Sequence, residues 1–262
     1  MPLALELTAL TAYLAATWRL ARVSHPRSDS TLLLLLALAI VAQGLTLGLT
    51  TTAEGAWQLG LGDALSLFLW QCCVVHLLLC LRMPLWHLGS GLWPAAAGSL
   101  VLAWWLPLGT ASPSELSASL RAHILLSLLA YALLTLAALQ TISYAWQDRR
   151  LHRGEHPRHR PPLQVMEAMV FRLLTLGFVL LTTSIATGFL FVENFAAQHL
   201  IHKAVLSIIA CLLFGLLLLG RSLWGWRGRI AIGWTLGAYA SLLLAYFGSK
   251  LVLEQILGSS WS

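Results

Sequence analysis

Histidine has the widest chemical reach of the residue types in this chain, because a neutral imidazole ligates metals and also relays protons. Three histidines stand where apolar segments begin: His123, His199 and His202. The last two are three residues apart and share a face on a helix. Each set has a base beside it, Arg121 near His123 and Lys203 directly after His202. Two imidazoles and two cations suit a flat apolar ligand with a central metal and two carboxylates. Haem is such a ligand, with axial histidines on iron and bases at the propionates. The plainer reading makes the same residues helix-end side chains that hydrogen-bond to water. At 100° per residue, Ser127, Ala130, Leu134 and Thr141 share the face of His123. Such a small and polar stripe suits close helix packing or a cavity wall.

A second constellation is Cys73, His76, Cys80 and Met83, spaced by three or four and therefore on one helical stripe. Thiolate, thioether and imidazole together suit copper(I); as packing residues they are small and polarizable. The four cysteines, Cys72, Cys73, Cys80 and Cys211, all lie in apolar segments, and no Cys-x-x-Cys occurs. That pattern speaks against a thiol relay and against covalently attached haem. A third group, His152, His156 and His159, sits among arginines with Asp148 and Glu155. It reads as a solvated basic loop that meets anionic lipid. No nucleophile has an adjacent base, no glycine loop is built to cradle phosphate, and no carboxylate pair or isolated acid falls in mid-span. Neither an enzyme nor a proton-coupled transporter is expected.

The elements that must position these groups follow from composition. Of 262 residues, 58% are hydrophobic and 10% charged, with a mean hydropathy of +0.79. Soluble domains carry roughly 25% charged residues, so the apolar surplus must face a lipid bilayer. A span needs about 20 apolar residues, and eight candidates fill the chain: Leu3–Leu20, Leu32–Thr51, Ala64–Leu81, Leu92–Leu108, Leu120–Trp146, Met166–Val192, Leu200–Gly220 and Ile230–Leu253. The expected fold is an all-α, polytopic integral membrane helix bundle over 1–262, a single transmembrane domain of eight transmembrane helices. Twelve arginines fall in the links after the odd-numbered spans, against Arg121, Lys203 and Lys250 on the other side. The positive-inside rule puts the crowded side in the cytoplasm and both termini outside. The pI near 9.6 thus reports topology, and no nucleic acid partner is expected. Glu6 precedes the first apolar run and arginines follow it, the reverse of a secretory signal, so that helix is expected to be retained. Arg172, near Glu167, is expected to snorkel to the interface. Gly44 and Gly48 offer a helix contact for self-association.

Four stretches in the second half carry a resemblance. They are Ala122-His123-Ile124 with Leu128-Leu129-Ala130-Tyr131-Ala132, Phe171-Arg172-Leu173-Leu174-Thr175-Leu176-Gly177-Phe178 with Thr187-Gly188, His202-Lys203-Ala204-Val205-Leu206-Ser207, and Ala245-Tyr246-Phe247-Gly248-Ser249. Together they resemble the CcsA-like haem-handling family of cytochrome c assembly, most closely its shorter HemX/YpjD-like branch. The likeness is full over about 120–253 and one of layout over 1–110. It implies a bacterial inner-membrane protein that binds or presents haem b near its outer face, with His123 on an axial-ligand position of that family. The sequence departs from the family in three places. A Trp-x-Trp-Asp-Pro-Lys-Glu segment is replaced by Gln198-His199-Leu200-Ile201-His202-Lys203-Ala204, residues 254–262 contain no histidine, and Gln43 stands where span 2 would carry one. Trp224-Gly225-Trp226 lies in a link on the arginine-rich side and lacks the aspartate.

The expectation is therefore a haem-binding accessory of cytochrome c assembly, with His123 and His202 as axial ligands and Arg121 and Lys203 at the propionates. The alternative is a non-catalytic adaptor that kept the scaffold without the ligand.

Overall fold

The computed structural model describes residues 2–51, 61–105, 118–155, 161–191 and 201–245. Among them are eight α-helices and two short 3-10 turns, Pro26–Ser28 and Trp86–Leu88. The chain divides into two compact units, Met1–Leu116 and Ser117–Ser262. Of the residues singled out above, His156, His159, His199, Lys250 and Tyr246–Ser249 lie outside the described ones, as do the side chains of His202 and Lys203.

The first unit contains α1 (Pro2–Leu20), α2 (Ser30–Thr51), α3 (Leu61–Cys80) and α4 (Gly89–Trp105). Here α1 packs on α2 and α4, and α3 packs on α2 and α4. A buried polar cluster fixes three of them. The Tyr13 hydroxyl on α1 donates to Gln43 Oε1 at 2.8 Å, and Gln43 Nε2 on α2 donates to Ser66 Oγ and O on α3 at 3.0 and 3.2 Å. One turn along, Trp70 Nε1 donates to the Ile40 carbonyl at 2.8 Å, and a Cβ at Gly44 would stand 3.1 Å from the same indole. Gly44 is thus occupied by a contact within the chain, while a Cβ at Gly48 would meet nothing within 4 Å. At Gly62 a Cβ would come within 2.8 Å of Ala103 Cα, so α3 and α4 approach at backbone distance.

The turn between α1 and α2 is held by Asp29. Its carboxylate caps α2 by accepting the Leu32 amide at 2.8 Å and forms a fork with Arg19 at 3.0 and 3.3 Å. The capping amide first and the Arg19 guanidinium second hold the Asp29 carboxyl below its ordinary value of 3.8. Ionised Asp29 therefore contributes fully above that ordinary value, and the contribution is lost as pH falls through the lowered one.

The second unit contains α5 (Ala118–His152), α6 (Leu163–Phe191), α7 (Ile201–Trp224) and α8 (Arg229–Leu243). The 35 residues of α5 extend to roughly 50 Å at about 1.5 Å per residue, more than an apolar layer of about 30 Å. Its last turns, with Arg149, Arg150 and His152, are the polar excess. Glu167 on α6 pairs with Arg221 on α7 at 3.3 Å, and that guanidinium lies 3.6 Å over the Phe171 ring. Arg172 is exposed, so the ion pair of α6 is made across helices rather than along it. The α7–α8 link turns on Gly225 and Gly228, at φ of 65° and 62°. Trp226 in it stacks between Trp224 and Trp234 at centroid distances of 5.7 and 5.5 Å.

Five helices are long and apolar enough to cross a membrane, over Ser30–Leu49, Gly62–Cys80, Ser119–His152, Leu163–Leu190 and Ala204–Trp224. The described parts of α1, α4 and α8 fall short on length or apolarity, α4 having 17 residues and α8 15.

Hydrogen bonds between membrane helices contribute about 0.6 kcal/mol on average and up to about 1.7. A double-mutant cycle of Tyr13→Phe and Gln43→Leu, read by thermal unfolding in detergent, is expected to give a coupling in that range. In the same assay, the destabilisation by Asp29→Ala is expected to shrink as pH is lowered from about 7 toward about 2. A difference that does not change with pH would mean that the Asp29 charge is not coupled to folding.

Candidate functional site

The site grows from the register of the α5–α6 hairpin. The two helices run antiparallel, so the start of α5 meets the end of α6. A Cβ at Gly177 would come within 2.7 Å of the Leu134 side chain, and one at Gly188 within 3.0 Å of His123 Cε1. Leu134 and His123 are eleven residues apart on α5, and Gly177 and Gly188 are eleven apart on α6. Three helical turns take about eleven residues, so each pair shares a face and both contacts belong to one seam. Ala130, Leu134 and Thr141 are buried along that seam, and Ser127 is half-buried. The stripe that the sequence places beside His123 is the surface on which α6 lies.

His123 stands in the second turn of α5, half-buried, with its ring edge against the bare backbone of Gly188. Its Nδ1 is 3.0 Å from Thr187 Oγ1, and that hydroxyl lies 2.9 Å from the Ser184 carbonyl. A hydroxyl has one proton. When Thr187 donates to Ser184, its oxygen is free to accept from His123, and the tautomer that fits carries its proton on Nδ1 and its lone pair on Nε2. In metal-binding histidines, a hydrogen bond from one ring nitrogen to a neighbouring oxygen orients the ring and fixes the tautomer in which the other nitrogen ligates. Ser184, Thr187 and Gly188 surround the His123 ring, and the spacing of histidines alone does not find them. The signal for them is a hydroxyl and a glycine side by side at the end of the segment that returns toward His123.

Arg121 is exposed in the first turn of α5. Residues two apart on a helix project to different sides, so its reach to anything held by His123 depends on its long stem. His202 and Lys203 fall in the first turn of α7.

Of the soft-ligand stripe of α3, only His76 and Cys80 come together. Cys73 neighbours the Tyr13 hydroxyl, whereas the His76 Nε2 is 3.0 Å from the Leu85 carbonyl and 3.3 Å from Cys80 Sγ. His76 also meets Trp93 edge-on at 5.9 Å. Among the described residues no three His, Cys, Asp or Glu side chains come together to hold a metal ion.

A helical membrane protein with a ring-locked histidine at the mouth of a helix hairpin belongs to a definable class. The description Cytochrome C assembly protein matches residues 28–257, and the chain belongs to that family. The match takes in most of the first four helices, which the sequence resemblance reached only in layout. The inner membrane protein YpjD of Escherichia coli K12 is 34% identical over 200 residues, 76% of this chain and 75% of its own length. A 28.8 kDa protein in the nifR3-like 5'region of Azospirillum brasilense is 32% identical over 218 residues, 79% of this chain and 80% of its own. No solved structure matches. The family and the apolar helices support a multi-pass protein of the bacterial inner membrane with a haem-related role.

The tautomer is directly measurable. In protein with 15N-labelled histidine, His123 is expected to show a protonated Nδ1 and an unprotonated Nε2 by NMR. Thr187→Val is expected to shift that population toward the opposite tautomer. An unchanged spectrum would remove Thr187 as the orienting group.

Proposed function

We propose that this protein binds haem b near the outer face of the inner membrane and acts as a haem-handling accessory of cytochrome c assembly, without catalysing a reaction itself. The observation that carries the reading is the His123 ring, half-buried between Gly188 and Thr187 with Nδ1 against the Thr187 hydroxyl; in the proposed role Nε2 ligates the iron. In the proposed topology eight helices cross the bilayer with both termini outside, and the starts of α5 and α7 lie at the same outer level. His202, in the first turn of α7, would hold the iron together with His123. Arg121 and Lys203 would pair with the propionates through charge-assisted hydrogen bonds.

The residues seen around His123 fit this group. A histidine that holds iron gains from a hydrogen bond that orients its ring, and Thr187 makes one here while Gly188 restricts the ring on one side. Bound haem supplies an iron centre whose ligation is reversible. The chain's own part is to hold the imidazole at a fixed angle, to shield the porphyrin with apolar helix surface and to keep the carboxylates charged.

The test is an absorption spectrum of protein purified in detergent after expression with ample haem, beside His123→Ala, His202→Ala and Thr187→Val. A Soret band that the two alanine variants weaken or shift is the expected result. Thr187→Val is expected to lower haem affinity by about tenfold, as loss of an outer-shell partner does at metal-bound histidine. A band indifferent to both histidine changes would put the site elsewhere. No band after addition of haemin would leave the adaptor reading, which the absent tryptophan-rich segment favours.

A further inference from the structure

At the other end of α5, away from His123, an open cleft of about 710 Å³ separates the last two turns of α5 from the start of α8. Its walls are basic. Arg149 and Arg153 come from α5 and Arg229 from α8, with Asp148 and His152 beside them. The neighbouring arginine shows the contrast: Arg150 is engaged, pairing with Glu155 and lying 4.6 Å over the Trp146 ring. No carboxylate among the described residues pairs with Arg149, Arg153 or Arg229. Asp148 is turned to His152, 3.6 Å from its Nδ1, and that nitrogen also lies 2.8 Å from the Asp148 carbonyl. Three cations against one carboxylate leave the cleft strongly positive.

The α8 side of the cleft is open to a bulky group. A Cβ on Gly228 or Gly233 would meet nothing within 4 Å. The first intrahelical bond of α8 runs from the Ile232 amide to the Gly228 carbonyl at 3.1 Å, and Gly228 provides no side-chain cap. The amides that precede Ile232 add partial positive charge at the same wall.

We propose that this cleft is a binding site for a phosphate ester. Guanidinium groups recognise phosphate oxygens by paired donors, and a cleft of this size takes the phosphate together with its organic body rather than a bare ion. Basic pockets between membrane helices on the cytoplasmic side hold anionic lipid headgroups by this chemistry, and a soluble phosphate ester would use the same donors. The site does not depend on haem, and its chemistry is the same whichever way the protein is oriented.

The experiment uses the full chain in neutral detergent and two probes, dihexanoyl phosphatidylglycerol and phenyl phosphate, with dihexanoyl phosphatidylcholine as the zwitterionic control. Affinity is read by isothermal titration at low and high salt. Binding of at least one anionic probe, weakened by salt, is expected. Arg149→Gln, Arg153→Gln and Arg229→Gln are each expected to weaken it about tenfold, the size of one lost charge-assisted pair. Gly233→Leu fills the cleft without changing any charge and is expected to weaken it as well. Arg27→Gln, on a different arginine-bearing turn, leaves it unchanged. Preference for phosphatidylglycerol identifies a lipid headgroup and preference for phenyl phosphate a soluble ester. Equal affinity of wild type, the cleft arginine variants and Gly233→Leu, or no binding of either anion, would overturn the proposal.

Discussion

Between two helices in a bilayer, burying one more leucine gains almost nothing, because the lipid it leaves is as apolar as the helix it joins. Position must be set by what lipid does not offer: backbone approach at small residues and hydrogen bonds out of water. The first unit shows both. Gln43 joins three helices through Tyr13 and Ser66, and Gly62 lets α3 and α4 touch at the backbone. In the second unit the same duty falls on Gly177 and Gly188, which leave room for Leu134 and His123. Polar bonds continue the hairpin toward its closed end, where Gln140 Nε2 donates to the Met166 carbonyl at 3.3 Å and Gln147 Nε2 to the Pro161 carbonyl at 2.8 Å.

The candidate ligand depends on that register. Gly188 flanks the His123 ring only because Gly177 has already placed α6 on α5 three turns away. A histidine at a helix end is ordinarily free to turn in the interface. Here the close approach removes one side of its rotational space, and Thr187 selects one of its two nitrogens. The apparatus that orients the imidazole is therefore the same seam that holds the hairpin together.

Much of this could be read in the residues before any coordinates. Period 3.6 placed Ala130, Leu134 and Thr141 with His123, and the arginine distribution marked the helix ends. Partner choice was not legible, since periodicity reports which side of a helix is special and never which helix faces it. For that reason Gly44 read as a surface for another molecule, although Trp70 of the next helix occupies it. Glu167 read as a neighbour of Arg172 five residues on, while its partner Arg221 is 54 residues away. The soft-ligand stripe of α3 is one face by spacing, yet Cys73 meets Tyr13 and His76 meets Leu85, because three different neighbours press on that face. The pairing of His202 with His123 rests on membrane depth alone, because the His202 side chain lies outside the described residues.

The Glu167–Arg221 pair has an electrical consequence. A single charge displaced across the whole membrane potential exchanges about 2.3 kcal/mol with the field for each 100 mV. Two opposite charges 3.3 Å apart, carried on adjacent helices, move together and exchange almost none. A joint movement of α6 and α7 that keeps the pair intact therefore carries almost no net charge through the field, whereas a movement that parts the two helices would carry one charge on each.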